Sequence, residues 1–261
     1  MQRYRCLSCK KCFSKALFEP AYRQRKRQKN KPLVALLCSS VSHRRAAKAL
    51  FLNRKTVSRK LPFLSLQAEF EMNENNLLRP KAKCMEFDDL ETFEHTKCKP
   101  LSVTLAVESK TRRILGLKVS SMRAKGLLTK KAERYGPRAE TRAHGRAALF
   151  SQIRPLVEEG AVIKSDSNPY YLSDVQKFFP DCTYKQYLGK RGSLGGQGEL
   201  KKVRFDPLFS LNHTCAKLRA DVSRLVRRTW CTTKKAENLQ AHLILYANFH
   251  NNYFAKAPAP A

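Results

Sequence analysis

From Cys84 onward the order of segments leaves few folds open. Residues 84–94 (CMEFDDLETFE), 101–109 (LSVTLAVES) and 113–120 (RILGLKVS) are three strand-like runs separated by polar or turn segments. A basic stretch follows. Residues 147–160 (AALFSQIRPLVEEG) then read as a helix ending at Gly160, interrupted by Pro155. AVIKSDS (161–167) reads as a short buried strand running into a polar turn. NPYYLSDVQKFF reads as a helix with Pro169 near its start, and CTYKQYL as another strand. A glycine-rich loop, 189–202, precedes a long helix over 206–230. Asp206 is its expected N-cap, Pro207 its first residue, and Leu211, Cys215, Leu218, Val222 and Leu225 its apolar stripe. A packed helix from Leu239 and a disordered tail, 253–261, close the chain. Three consecutive strands form an antiparallel meander, and strands reached through helices pair in parallel. The expected class is α/β, with a ribonuclease-H-like mixed sheet over 84–252.

The first 83 residues are of another kind. Residues 1–31 are short, basic and cysteine-containing, with the run RQRKRQKNK at 23–31. That run serves equally as a solvated linker or as an arm on phosphates. In 32–65, Pro32 fits the first turn of a helix carrying Leu33, Leu36 and Leu37. Ser42 is a natural N-cap for a second helix burying Ala46, Ala47 and Leu50. Asn53 caps a third with Val57 and Leu61 inside. A small residue at Ala47, with Val57 ten positions on, is the spacing of a helix-turn-helix, a small helical DNA-binding domain. Its outer face carries Arg54, Lys55, Ser58 and Arg59; an ordinary helical hairpin with a cationic surface has the same pattern. Residues 66–83 are polar with weak periodicity and read as a connector.

Charge decides the partner. Lys and Arg number 52 against 21 Asp and Glu, a formal charge of +31. Double-stranded DNA or an acidic membrane surface compensates such an excess. No apolar run approaches the roughly 20 residues of a membrane span, and MQRYRCLSCKKCF has no apolar core of a secretory signal, so no membrane partner is expected. The nine cysteines are scattered, and their default is the free thiol. Only Cys6, Cys9 and Cys12 are spaced tightly enough to suggest a metal.

FDDLETFEHTK, the two strands after it, KSDSNPYY and the closing stretch LNHTCAKLRADVSRLVRRTW, with the helix ending YANFHN, resemble the catalytic core of bacterial insertion-sequence transposases of the Asp-Asp-Glu type. The resemblance implies an enzyme that binds element-end DNA, hydrolyses a phosphodiester and transfers the freed 3′ strand into target DNA, with two Mg²⁺ (or Mn²⁺) ions at the scissile phosphate. It implies Asp88 and Asp166 as metal ligands, on neighbouring strands. Asp89 is the rival to Asp88, because successive strand side chains face opposite ways; a turn-capping carboxylate is the plain role for Asp166.

The family's third acid, a helical Glu with a basic residue seven positions on, is here Asn212, with Arg219 in the basic position. Three explanations stand. Asn212 is a variant ligand; Glu199 or Asp206 supplies the third carboxylate; or the chain is a derivative that binds DNA and cuts poorly. His213 beside Asn212 is a candidate contact, with a structural role as its alternative. Lys217, Arg219, Arg224, Arg227 and Arg228 are candidate phosphate contacts, against a solvated helix face; Trp230 is expected to pack. Cys6 and Cys9, in YRCLSCKKCF, look like the second half of a zinc ribbon, for which a structural zinc wants four ligands. The resemblance further implies a homodimer or higher oligomer, in the bacterial cytoplasm at the nucleoid.

Overall fold

The computed structural model describes residues 2–188, 206–226 and 231–255. Its centre is a five-stranded mixed sheet in the order β5-β4-β3-β6-β7. The strands are β3 (Ala82–Phe93), β4 (Pro100–Glu108), β5 (Ile114–Ser121), β6 (Val157–Asp166) and β7 (Thr183–Tyr187). β3, β4 and β5 form the expected antiparallel meander. β6 joins β3 in parallel, and β7 joins β6 in parallel. A second, two-stranded sheet pairs β1 (Arg3–Arg5) with β2 (Cys12–Ser14).

Both faces of the large sheet are covered, which explains the imperfect alternation of LSVTLAV. On one face Met85, Phe87, Ala106 and Ile163 pack on α5 (Arg142–Ile153) and α6 (Tyr171–Phe178) through Leu149, Phe150, Tyr171 and Val175. Gly145 lets α5 lie close on β5, where an added methyl group would run into the Ser120 side chain. On the other face Val103, Leu105, Val107 and Leu117 pack on α7 (Phe209–Asp221) and α8 (Ala236–Tyr253). The same core takes in α1 (Asn30–Leu37), α2 (His43–Ala49) and α3 (Arg54–Leu78) through Leu33, Leu37, Ala46, Val57 and Leu61. A short helix, α4 (Leu128–Ala132), lies in the basic stretch.

The caps are where the sequence puts them. The Ser42 hydroxyl accepts from the Arg45 N–H and the Asn53 side chain from the Lys55 N–H. Three boundaries differ from expectation. α5 ends at Ile153; Pro155 tightens the chain into a 3-10 turn, and Val157 already belongs to β6. The closing helix starts at Phe209, because Asp206 caps the turn before it through the Leu208 N–H (2.9 Å). It ends at Asp221, with Val222 extended and buried.

The expected connector is the third difference, since α3 continues through Pro62 to Leu78. It buries a narrow stripe of Leu61, Leu64, Ala68, Met72 and Asn76 and leaves Leu66, Phe70 and Leu77 exposed, which blurs its periodicity. The glycine-rich loop 189–202, Glu199, Arg227, Arg228, Trp230 and residues 256–261 of the tail lie outside the described residues.

Candidate active site

Two carboxylates meet at the carboxyl end of β6. The parallel register pairs Glu86 with Lys164. That is the last paired position; Asp88 and Asp166 lie two residues further along their strands, near enough for the Asp166 charge to act on Asp88. Both side chains are half-buried. Burial and then the Asp166 charge push the Asp88 carboxyl up to about 7, far above the ordinary carboxylate range. Burial also raises Asp166, with the Asn168 N–H pulling the other way. The turn-capping role of Asp166 is therefore real, and it coexists with the pairing.

Asp88 is held on two sides. Its Oδ1 accepts the Asp89 N–H (2.6 Å) and the Tyr171 hydroxyl (3.2 Å). Burial, and the Asp89 and Asp88 charges, raise the Tyr171 phenol, so it donates at any physiological pH. Asp89 faces the opposite side of β3. There it takes the Thr104 hydroxyl (2.5 Å) and pairs with Arg146 (3.5 Å). Arg146 binds Asp174 at 2.7 Å and lies over the Tyr171 ring. Arg146 thus neutralises Asp89 and fixes the ring that holds Asp88. A sequence reading passes over Arg146, Tyr171 and Asp174, because their roles arise only when α5 and α6 dock.

Asn212 makes its side-chain contact with Asp206. It is exposed on α7, and its amide donates to Asp206 Oδ2 at 2.7 Å. The buried carboxylate on the same face of β3 is Glu86, which accepts the Leu211 N–H (2.9 Å) and the Ser109 hydroxyl and so pins α7 to the sheet. His213 contacts Arg112 (3.1 Å) and Phe209, a packing role. Lys217 is tied to Asp221 (3.1 Å) and lies over the Phe254 ring. Arg224 is engaged by Thr233 and by His43 on α2. Arg219 is half-buried one turn after Cys215, near enough to lower that thiol, while burial, the larger effect, pushes it up to about 12.

A divalent cation fits the donor set at Asp88 and Asp166. Mg²⁺ needs one or two carboxylates and completes its shell with water and phosphate oxygen, and a cation offsets the burial and the Asp166 repulsion that raise Asp88. Cys6 is half-buried and Cys9 and Cys12 are exposed free thiols, and no metal-holding group of three His, Cys, Asp or Glu exists among the described residues. The Cys6 thiol is nonetheless lowered, chiefly by the Cys9 and Ser8 backbone N–H groups.

A second surface is cationic. Arg54, Lys55, Ser58 and Arg59 are all exposed on the first turns of α3, with Arg44, Arg45 and Lys48 exposed on α2 beside them. Val57, between them in sequence, is fully buried. Lys60 turns inward and donates to Gln24 (2.8 Å) and Asn30 (2.7 Å), which ties the N-terminal segment to α3. Among the described residues no helix is long and apolar enough to cross a membrane. No protein-family model matches this chain, and no curated protein is significantly similar to it.

Proposed function

We propose that this chain is a DNA transposase of the Asp-Asp-Glu type, with a ribonuclease-H-like catalytic domain. The observation that carries the reading is the adjacent pair Asp88 and Asp166 on neighbouring parallel strands, in a sheet of order β5-β4-β3-β6-β7. Such a pair holds two negative charges where repulsion already strains them, an arrangement suited to a cation and a phosphate. When bound there, Mg²⁺ supplies charge neutralisation at the phosphate and acidifies water. The chain's own residues do the rest. Tyr171 orients Asp88, Arg146 keeps Asp89 out of the site, and Arg54, Lys55, Ser58 and Arg59 hold duplex DNA in a helix-turn-helix arrangement of α2 and α3.

The experiment is cleavage of duplex DNA carrying candidate element ends, with Mg²⁺ or Mn²⁺. Asp88→Ala and Asp166→Ala each abolish cleavage and leave DNA binding nearly intact. Equal activity in wild type and both variants overturns the assignment. Binding falls steeply with salt, because each neutralised phosphate releases counterions. Alanine at Arg54 or Arg59 weakens it and reduces the salt slope by roughly one.

One observation favours a second reading. The Asn212 amide is neutral and engaged by Asp206, which suits a transposase derivative that binds DNA and cuts poorly. Asn212→Glu distinguishes the two: a gain of cleavage over a weak wild type supports the impaired enzyme, and no gain over an active one supports a two-carboxylate site.

A further inference from the structure

Ser58 is the uncharged member of the outward group on α3, and its hydroxyl is already engaged from one side. His43, the first residue of α2, brings its Nδ1 to 3.4 Å from Ser58 Oγ. The other nitrogen of the same ring, Nε2, lies 3.3 Å from Nη2 of Arg224. A guanidinium only donates, so Nε2 accepts. Burial, and then the Arg224 charge, lower His43 to about 4 and keep the ring neutral at physiological pH. A neutral imidazole has one donor nitrogen and one acceptor, which leaves the ring proton on Nδ1. Nδ1–H therefore donates to Ser58 Oγ and takes up a lone pair of that oxygen. The hydroxyl's own proton is left for another acceptor.

Arg224 is itself fixed. It is half-buried just after α7, donates to Thr233 Oγ1 (3.3 Å) and pairs with no carboxylate among the described residues. The Thr233 carbonyl accepts the His95 N–H (2.8 Å), two residues past the end of β3. His242 on α8 has its ring centre 6.4 Å from that of His43 but does not compete, because its Nε2 is bonded to the Leu37 carbonyl (2.9 Å). A line of hydrogen bonds thus runs from the end of β3 through Thr233, Arg224 and His43 to the surface at Ser58. A free serine hydroxyl donates or accepts with equal ease. One that already accepts from an imidazole favours donation. Duplex DNA offers acceptors in its phosphate oxygens and, in the major groove, in purine N7, guanine O6 and thymine O4. We propose that His43 is a positioning residue for DNA contact: held by Arg224 as the Nδ1–H form, it turns the Ser58 hydroxyl outward as a donor to these acceptors. This assignment rests on the DNA binding proposed for α2 and α3.

Two measurements on the full chain test it. The first uses no DNA and no variant: nitrogen-15 spectra of the imidazoles show His43 as the Nδ1–H tautomer at neutral pH. The second is the affinity for a mixed-sequence DNA duplex at fixed salt, read by fluorescence anisotropy. Ser58→Ala weakens binding roughly fivefold or more, the worth of one hydrogen bond. His43→Phe and Arg224→Met each weaken it by a similar factor. In the Ser58→Ala background neither costs more than about twofold further, since both act through the same hydroxyl. A merely structural role for His43 or Arg224 gives costs that multiply instead. A wild type that leaves the duplex unbound ends the assignment together with the DNA binding it rests on. A wild type that binds, but shows His43 as the Nε2–H tautomer or gives multiplying costs, overturns the assignment alone.

Discussion

At the level of single residues, Asp88 and Asp89 have consecutive places and opposite surroundings. Asp88 stands against Asp166, while Asp89 is neutralised by Arg146. Asp88→Asn removes a charge that burial, and then the Asp166 carboxylate, disfavour, so the metal-free protein gains on the order of 2 kcal/mol and melts several degrees higher. The same variant loses any rise in melting temperature on adding Mg²⁺ or Mn²⁺, which scanning calorimetry reads directly. Arg146→Met acts the other way. It strands Asp89 and Asp174 in a buried position and costs about 3 kcal/mol, read as a lower denaturation midpoint. The four outward residues of α3 were legible from spacing, whereas Asp88 and Asp166 were singled out by the family resemblance, alternation alone leaving Asp89 as the rival. The Arg146, Tyr171 and Asp174 network was not, because α5 and α6 bring it together across long sequence separations. Nor could spacing show that the Asn212 amide is turned to Asp206.

Among the elements, the strands and caps were easiest to read because their signals are local. Ser42 and Asn53 cap as their chemistry dictates, and Asn53→Ala should cost about 1 kcal/mol in a thermal melt. The antiparallel meander and the parallel pairing of the later strands followed from segment order. Boundaries set by tertiary contact were harder. Pro155 hands the chain from helix to strand within four residues, and Val222 leaves the helix to bury its side chain. α3 was the hardest. A helix that buries eight residues and shows large apolar ones elsewhere on its surface has no single polar face. Its 66–78 portion imitates a connector for that reason.

For the whole molecule, three histidines are folded in their neutral form. Burial lowers His43 to about 4, His242 to about 3 and His250 to about 4. His242 donates its Nε2–H to the Leu37 carbonyl and His250 its Nε2–H to the Arg112 carbonyl. Each stays neutral in the fold but protonates near 6.5 when unfolded. Stability is therefore full above about 6.5 and falls as the pH drops toward 4, by up to about 1.4 kcal/mol per pH unit for each fully buried ring. Denaturant titrations at pH 7.5 and pH 5 should show the loss, and His242→Gln should flatten it. α3 has a last consequence for the geometry of its two surfaces. It rises about 1.5 Å and turns about 100° per residue, so its 25 residues link the cationic first turns to the apolar stripe in fixed phase. One residue inserted between Leu61 and Leu66 would swing one end a quarter-turn or more about the other, and seven would nearly restore the angle while lengthening the arm by about 10 Å. The distance and angle between the cationic turns and the apolar stripe are thus set by counting residues along a single rod.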